Sequence, residues 1–151
     1  MRKQVLAVLA ATLLGSSAFA ADNANVQVLA NVQGTCKFLA APDVNFGTLD
    51  PGAGGDVNAK TDVSFWCTKG ANYTLNVGNG ANFDSATTAR RMKSATGDYI
   101  KYELSPVNAS GIGTGRSTPL TFSMNALLRG SDYIDATVGE YQDTVQLTVT
   151  P

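Results

Sequence analysis

The sequence predicts an all-β sandwich, and three observations predict it. Short stretches alternate apolar and polar residues at period two. Segments rich in Gly, Asn, Ser and Thr separate them. No stretch beyond residue 20 repeats its apolar residues at helical spacing. Roughly seven such strands with turn signals between them suit two packed sheets, a closed barrel being the competing arrangement.

Residues 1–20 read as an export signal. Arg2 and Lys3 give the positive start, Val5 to Leu14 the apolar stretch, and Ala18-Phe19-Ala20 a small-x-small cleavage site. That run is too short to span a bilayer, and no later stretch approaches the length needed. Cleavage after Ala20 leaves one domain's worth of chain. The 151 residues hold 11 Lys and Arg, 12 Asp and Glu and no His, for a net charge of −1. Losing Arg2 and Lys3 makes the exported chain more acidic. The basic cluster Arg90-Arg91-x-Lys93 reads as a solvated loop, so nucleic acid is not an expected partner.

In the exported chain, residues 21–33 place Val26, Val28, Ala30 and Val32 at period two. They form either an ordinary first strand or an arm with no place in its own domain. Leu29 interrupts the alternation, and either covers the outer surface or marks a shifted register. Cys36 to Ala40 leads through Pro42, which disfavours a central strand, to the run Val44-Asn-Phe-Gly-Thr-Leu-Asp-Pro51. Gly52 to Asn58 reads as a loop. Thr61 to Thr68 is a strand with Val63, Phe65 and Cys67 on the inner face. Tyr73, Leu75 and Val77 follow a short Lys69–Asn72 turn, which predicts a hairpin. Residues 78–98 read as a long surface connection with a short strand near Arg91 and Met92. Tyr99 to Leu104 is a strand facing inward through Ile100, Tyr102 and Leu104. Ser105 to Ser117 reads as a loop, Leu120, Phe122 and Met124 as a strand, and the stretch to Val138 as irregular.

The last stretch organises the rest. From Tyr141 the chain sets Tyr141, Asp143, Val145, Leu147 and Val149 on one face and Gln142, Thr144, Gln146 and Thr148 on the other. A long apolar final strand either lies between two others or exposes an edge that invites a partner. The expected partner is a strand like residues 24–33 of another copy.

Cys36 and Cys67 form an even pair in a chain bound for an oxidising compartment, which reads as a disulfide. Closing that loop stabilises the fold by roughly 3.5–4 kcal/mol. Without histidine or a second cysteine pair, a metal site is a poor alternative.

The ordered set of Cys36, Asn45-Phe46-Gly47-Thr48-Leu49-Asp50-Pro51, Cys67-Thr68-Lys69-Gly70, Arg90-Arg91-Met92, Tyr102-x-Leu104 and Gly139-x-Tyr141-x-Asp143-Thr144-Val145-x-Leu147-x-Val149 resembles the spore-coat-protein-U-like domains, subunits of archaic chaperone–usher pili. The resemblance covers nearly all of residues 26–151. Two positions depart from it: Ser105 to Gly115 lacks a tryptophan, and Trp66 stands where a small polar residue is commoner. The resemblance implies an incomplete immunoglobulin-like sandwich (residues 34–151) lacking its final strand. Its groove is edged by Tyr141, Val145, Leu147 and Val149, and it is completed by donor-strand exchange. The donor is the N-terminal arm (residues 21–33) of a neighbour, entering through Val26, Val28, Ala30 and Val32. The implied partners are identical or related subunits, a periplasmic chaperone and an outer-membrane usher. The implied location is the cell surface, where such a fibre supports attachment and biofilm formation.

An enzyme is not expected. Without histidine, Ser-His-Asp and Cys-His arrangements are impossible. The carboxylate pairs Asp132 with Asp135 and Glu140 with Asp143 fit turn and strand-end roles better than glycoside hydrolysis. Gly111-x-Gly113-x-Gly115 has no following helix to bind a phosphate, and no cofactor is expected. Asn72-Tyr-Thr and Asn108-Ala-Ser match the N-glycosylation pattern and carry little weight. Two rivals share the fold. A monomeric secreted binding module, for carbohydrate for example, would use exposed aromatics such as Trp66 and Tyr99. A coat-type layer protein would differ in assembly geometry.

Overall fold

The computed structural model describes residues 21–151; the export signal read at residues 1–20 lies outside them. The described chain divides after Asn31. Residues 21–31 carry no helix or strand, and Val26, Val28 and Leu29 are at least 84% exposed.

From Val32 onward the chain builds nine strands. These are β1 (Cys36–Ala40), β2 (Val57–Cys67), β3 (Asn72–Val77), β4 (Arg90–Ser94), β5 (Tyr99–Ser105), β6 (Asn108–Ile112), β7 (Leu120–Leu128), β8 (Tyr141–Gln142) and β9 (Leu147–Thr150), with a 3-10 turn at Gly130–Asp132. They form a six-stranded sheet in the order β1-β2-β7-β5-β4-β8 and a three-stranded sheet in the order β6-β3-β9. Every pairing is antiparallel.

Period-two alternation explains the core. Val63, Phe65 and Cys67 of β2, Phe122, Met124 and Ala126 of β7, and Tyr102 and Leu104 of β5 project from the larger sheet. They meet Leu75 and Val77 of β3 from the smaller one. Phe65 sits at the centre, edge-on to Phe38 at 6.3 Å and to Tyr73 at 5.1 Å between ring centroids. A second cluster, Ile100, Leu128 and Tyr133, closes one end. Cys36 and Cys67 are directly opposed across β1 and β2 and joined by the expected disulfide.

Four local expectations need correction. The β2–β3 hairpin does not exist: β2 pairs with β1 and β7, whereas β3 pairs with β6 and β9. The inner residues of β2 and β3 meet from opposite sheets, so the turn between them must cross the sandwich. Gly70 makes that crossing at φ 82°, donating to the Gly113 carbonyl at 2.9 Å. The loop expected at Ser105–Ser117 contains β6. Its Asn-Ala-Ser-Gly-Ile sequence has no apolar alternation because it is an edge strand held mainly by backbone pairing to β3.

The Arg90-Arg91-x-Lys93 cluster is not a solvated loop but most of β4, the short strand expected near Arg91 and Met92. Arg90 donates twice to the Gly78 carbonyl, at 3.0 and 3.2 Å. Arg91 donates to the Asn82 carbonyl at 3.2 Å, pairs with Asp84 at 3.3 Å and lies 4.3 Å over the Tyr99 ring. Finally, the last stretch is not one strand. Tyr141–Gln142 pairs with β4 in the larger sheet and Leu147–Thr150 with β3 in the smaller.

Candidate docking groove

The break in the final stretch is built around Asp143. Its Oδ2 accepts the Tyr102 hydroxyl at 2.6 Å, and its Oδ1 accepts the Asn82 backbone N–H and side-chain amide, each at 3.0 Å. The backbone between the two pairings is pinned by the N–H of Ala81 to the Thr144 carbonyl and of Gly78 to the Gln146 carbonyl. The chain thereby crosses from one sheet to the other without losing its alternation. Tyr141, Asp143, Val145, Leu147 and Val149 remain half-buried and face the core, while the residues between them are exposed. Burial pushes the Tyr102 phenol up from its ordinary value, and the accepted hydrogen bond and negative charge of Asp143 add to the shift against a smaller opposing effect of Arg90. The hydroxyl stays a donor throughout the neutral range.

Beside this stretch the sandwich is open. A cavity of about 520 Å³ runs between Ala41–Phe46 on one wall and Tyr141–Val145 and Leu147 on the other. Its floor includes Val63, Tyr102, Leu104 and Met124, residues of the core itself. An adjoining cavity of about 710 Å³ continues along Val44–Leu49 and Ala136–Gln142, over Met92 and Ile100. Val44, Phe46, Met92 and Tyr141 line both, so the two form one trough. Among the described residues, neither wall has a strand partner across it. Residues 41–50 carry no strand, and β8 and β9 each end their sheet. Phe46 stands edge-on to Tyr102 at 6.4 Å, holding its wall against the core.

Among the sequence-predicted residues, Tyr141 lies in β8, Leu147 and Val149 in β9, and Val145 in the crossing between them. Val26, Val28 and Ala30 lie in the separate segment that ends at Asn31; Val32, which opens the folded body, is 80% exposed. Sequence reasoning missed the second wall. The signal available was Val44 and Phe46, spaced two apart after Pro42. It also missed the role of Asp143, whose signal was a carboxylate on the inward face of an alternating strand.

The described chain is thus a two-sheet antiparallel sandwich with a trough running beside its final stretch. The chain belongs to the Spore Coat Protein U domain family, which matches residues 22–148. Among solved structures, it is similar to a chain of the CsuC–CsuE chaperone–tip adhesion subunit pre-assembly complex from the archaic chaperone–usher Csu pili of Acinetobacter baumannii. The TM-score is 0.53 at 23% identity, over 78% of this chain and 40% of that one. At that identity the likeness is one of fold. The present chain therefore spans well under half the length of that neighbour. No curated protein matches the sequence.

Proposed function

We propose that this protein is a non-enzymatic structural subunit of a surface fibre of the archaic chaperone–usher type, polymerised by donor-strand complementation. The observation that carries the reading is the trough: core residues Val63, Leu104 and Met124 form its floor, and among the described residues both of its walls lack a strand partner. Strand addition supplies what is missing, with backbone pairing along the edge and alternate side chains entering the core. Residues 21–33 of a neighbour are the donor. Val26, Val28, Ala30 and Val32 enter the trough beside Tyr141, Val145, Leu147 and Val149 of the acceptor domain, residues 34–151. Each buried valine stabilises the joint by about 1.5–3 kcal/mol before ordering costs. Because the added strand also finishes the acceptor's core, the joint opens very slowly.

Family membership supports this reading, and so does a fold neighbour described as part of a chaperone–subunit complex of such pili. The partners on this proposal are identical or related subunits, a periplasmic chaperone that holds the trough before assembly, and an outer-membrane usher. The chain is exported through the periplasm after cleavage near Ala20, and the fibre serves attachment and biofilm formation. Of the two candidates for the carbohydrate-module rival, Trp66 and Tyr99, the second is weakened, because Arg91 lies over the Tyr99 ring at 4.3 Å and Lys93 flanks it at 5.6 Å.

Two substitutions test the assignment. Val28→Asp or Val32→Asp spoils the donor and spares the acceptor. The subunit should accumulate bound to its chaperone, while the detergent-resistant ladder in unboiled gel samples disappears. Normal fibres from either variant would refute the arm assignment. Val145→Asp or Leu147→Asp places charge at the edge of the trough, and should abolish both folding yield and chaperone capture. A stable free subunit carrying either change would refute the acceptor assignment.

A further inference from the structure

The two ends of the sandwich differ in charge and in what they expose. One end gathers residues 33–37, 68–71 and 112–118. The Thr68 hydroxyl donates to the Gln33 carbonyl at 3.3 Å, Gly113 N–H donates to the Ala71 carbonyl at 2.7 Å, and Gly34 lies beside Pro151. The charged side chains of these segments are Lys37, Lys69 and Arg116, all exposed, with no Asp or Glu among them. Ile112 stands there 63% exposed.

The other end gathers residues 50–56 and 130–140. Gly130 N–H donates to Asp56 Oδ1 at 2.9 Å, and the Tyr133 hydroxyl donates to the Gly55 carbonyl at 2.6 Å. Its two segments carry Asp50, Asp56, Asp132, Asp135 and Glu140; beside them the ends of β4 and β5 bring Lys93 and Lys101, which the acidic groups outnumber. Neighbouring Arg129 is engaged by Glu103 at 2.9 Å. Val138 is 96% exposed and Ile134 44%. The 11 residues of β2 run from one end to the other, which sets the ends about 35 Å apart.

We propose that these ends dock on one another, the cationic end of one copy against the acidic end of the next, with Ile112 meeting the exposed Ile134. This contact adds to the donated strand and rests on the donor-strand reading. The polarity follows from the strands. All pairings in the described residues are antiparallel, and the final stretch runs from the acidic end towards Pro151 at the cationic end. An arm added antiparallel to it enters at the cationic end and leaves at the acidic one. Residues 32–34 then lead directly into the donor's own cationic end, within about 10 Å of chain. Opposite charges therefore face each other across the joint. A parallel arm would press two cationic ends together. Two different patches of one chain meeting in this way make a heterologous contact, which repeats along a filament. Its rim charges fix register and weaken with salt.

Zero-length carbodiimide coupling of polymer assembled from the whole exported chain, followed by peptide mapping, tests the contact. The expected product is an amide joining Lys69 to Asp132, Asp135 or Glu140. Across ~35 Å within one molecule that bond cannot form, so the link must join two copies. Its yield should fall several-fold in Arg116→Asp, which keeps Lys69, and recover through Asp132 and Glu140 when Asp135→Arg is added. Polymer that lacks the link, or a yield indifferent to Arg116→Asp, overturns the end-to-end contact and leaves the strand reading standing. Polymer that persists in Val28→Asp overturns the strand reading instead. A chain that forms no polymer overturns both.

Discussion

Tyr102 and Asp143 show how much of this fold's shape one hydrogen bond can set. Their contact at 2.6 Å ties the inner face of β5 to the point where the final stretch changes sheets. Removing the hydroxyl by Tyr102→Phe should cost about 1.5–3 kcal/mol, the value of a hydrogen bond to a charged group. The pH dependence follows from the direction of the shift. The folded phenol titrates above its unfolded value of 10.0. Its contribution is therefore fully present below pH 10 and is lost as the pH rises through the higher folded value. Thermal denaturation at a series of alkaline pH values should show a decline above pH 10 in the natural chain and a flatter one in Tyr102→Phe. Gly113 is a second residue with no latitude, since a Cβ there would strike the carbonyls of Thr68 and Cys67. Gly113→Ala should lower stability by at least about 1–3 kcal/mol, seen as a lower melting temperature.

Among the elements, the strands with strong apolar alternation were legible in the sequence: β2, β3, β5 and β7 all show their inner residues where the pattern puts them. β6 was not, because an edge strand held by backbone bonds leaves no apolar signature in Asn-Ala-Ser-Gly-Ile. The alternation from Tyr141 to Val149 revealed which face turns inward but not which sheet each half joins. Sheet membership depends on Asn82, Gly78 and Ala81, some 60 residues away in sequence. One wall of the trough was legible, and the other hid in the irregular backbone of residues 41–50. The disulfide was readable from compartment and count alone. It staples β1 to β2 beside the start of the folded body, so the double replacement of Cys36 and Cys67 by Ser should cost about 2–5 kcal/mol. Denaturant melts of the two forms check this.

At the scale of the molecule, a sandwich with its core open along one side is an incomplete solution to burying apolar surface. The half-buried inner face of the last stretch expresses that deficit. The proposed donor carries valines, Val26, Val28 and Val32, that stand exposed in the present structure. The central claim is that completion comes from a second copy. Amide hydrogen exchange of residues 24–33, compared between the chaperone-held single subunit and the assembled polymer, tests it most directly. The account predicts fast exchange in the single subunit and core-like protection in the polymer. Strong protection of those amides in an isolated, stable monomer would contradict it.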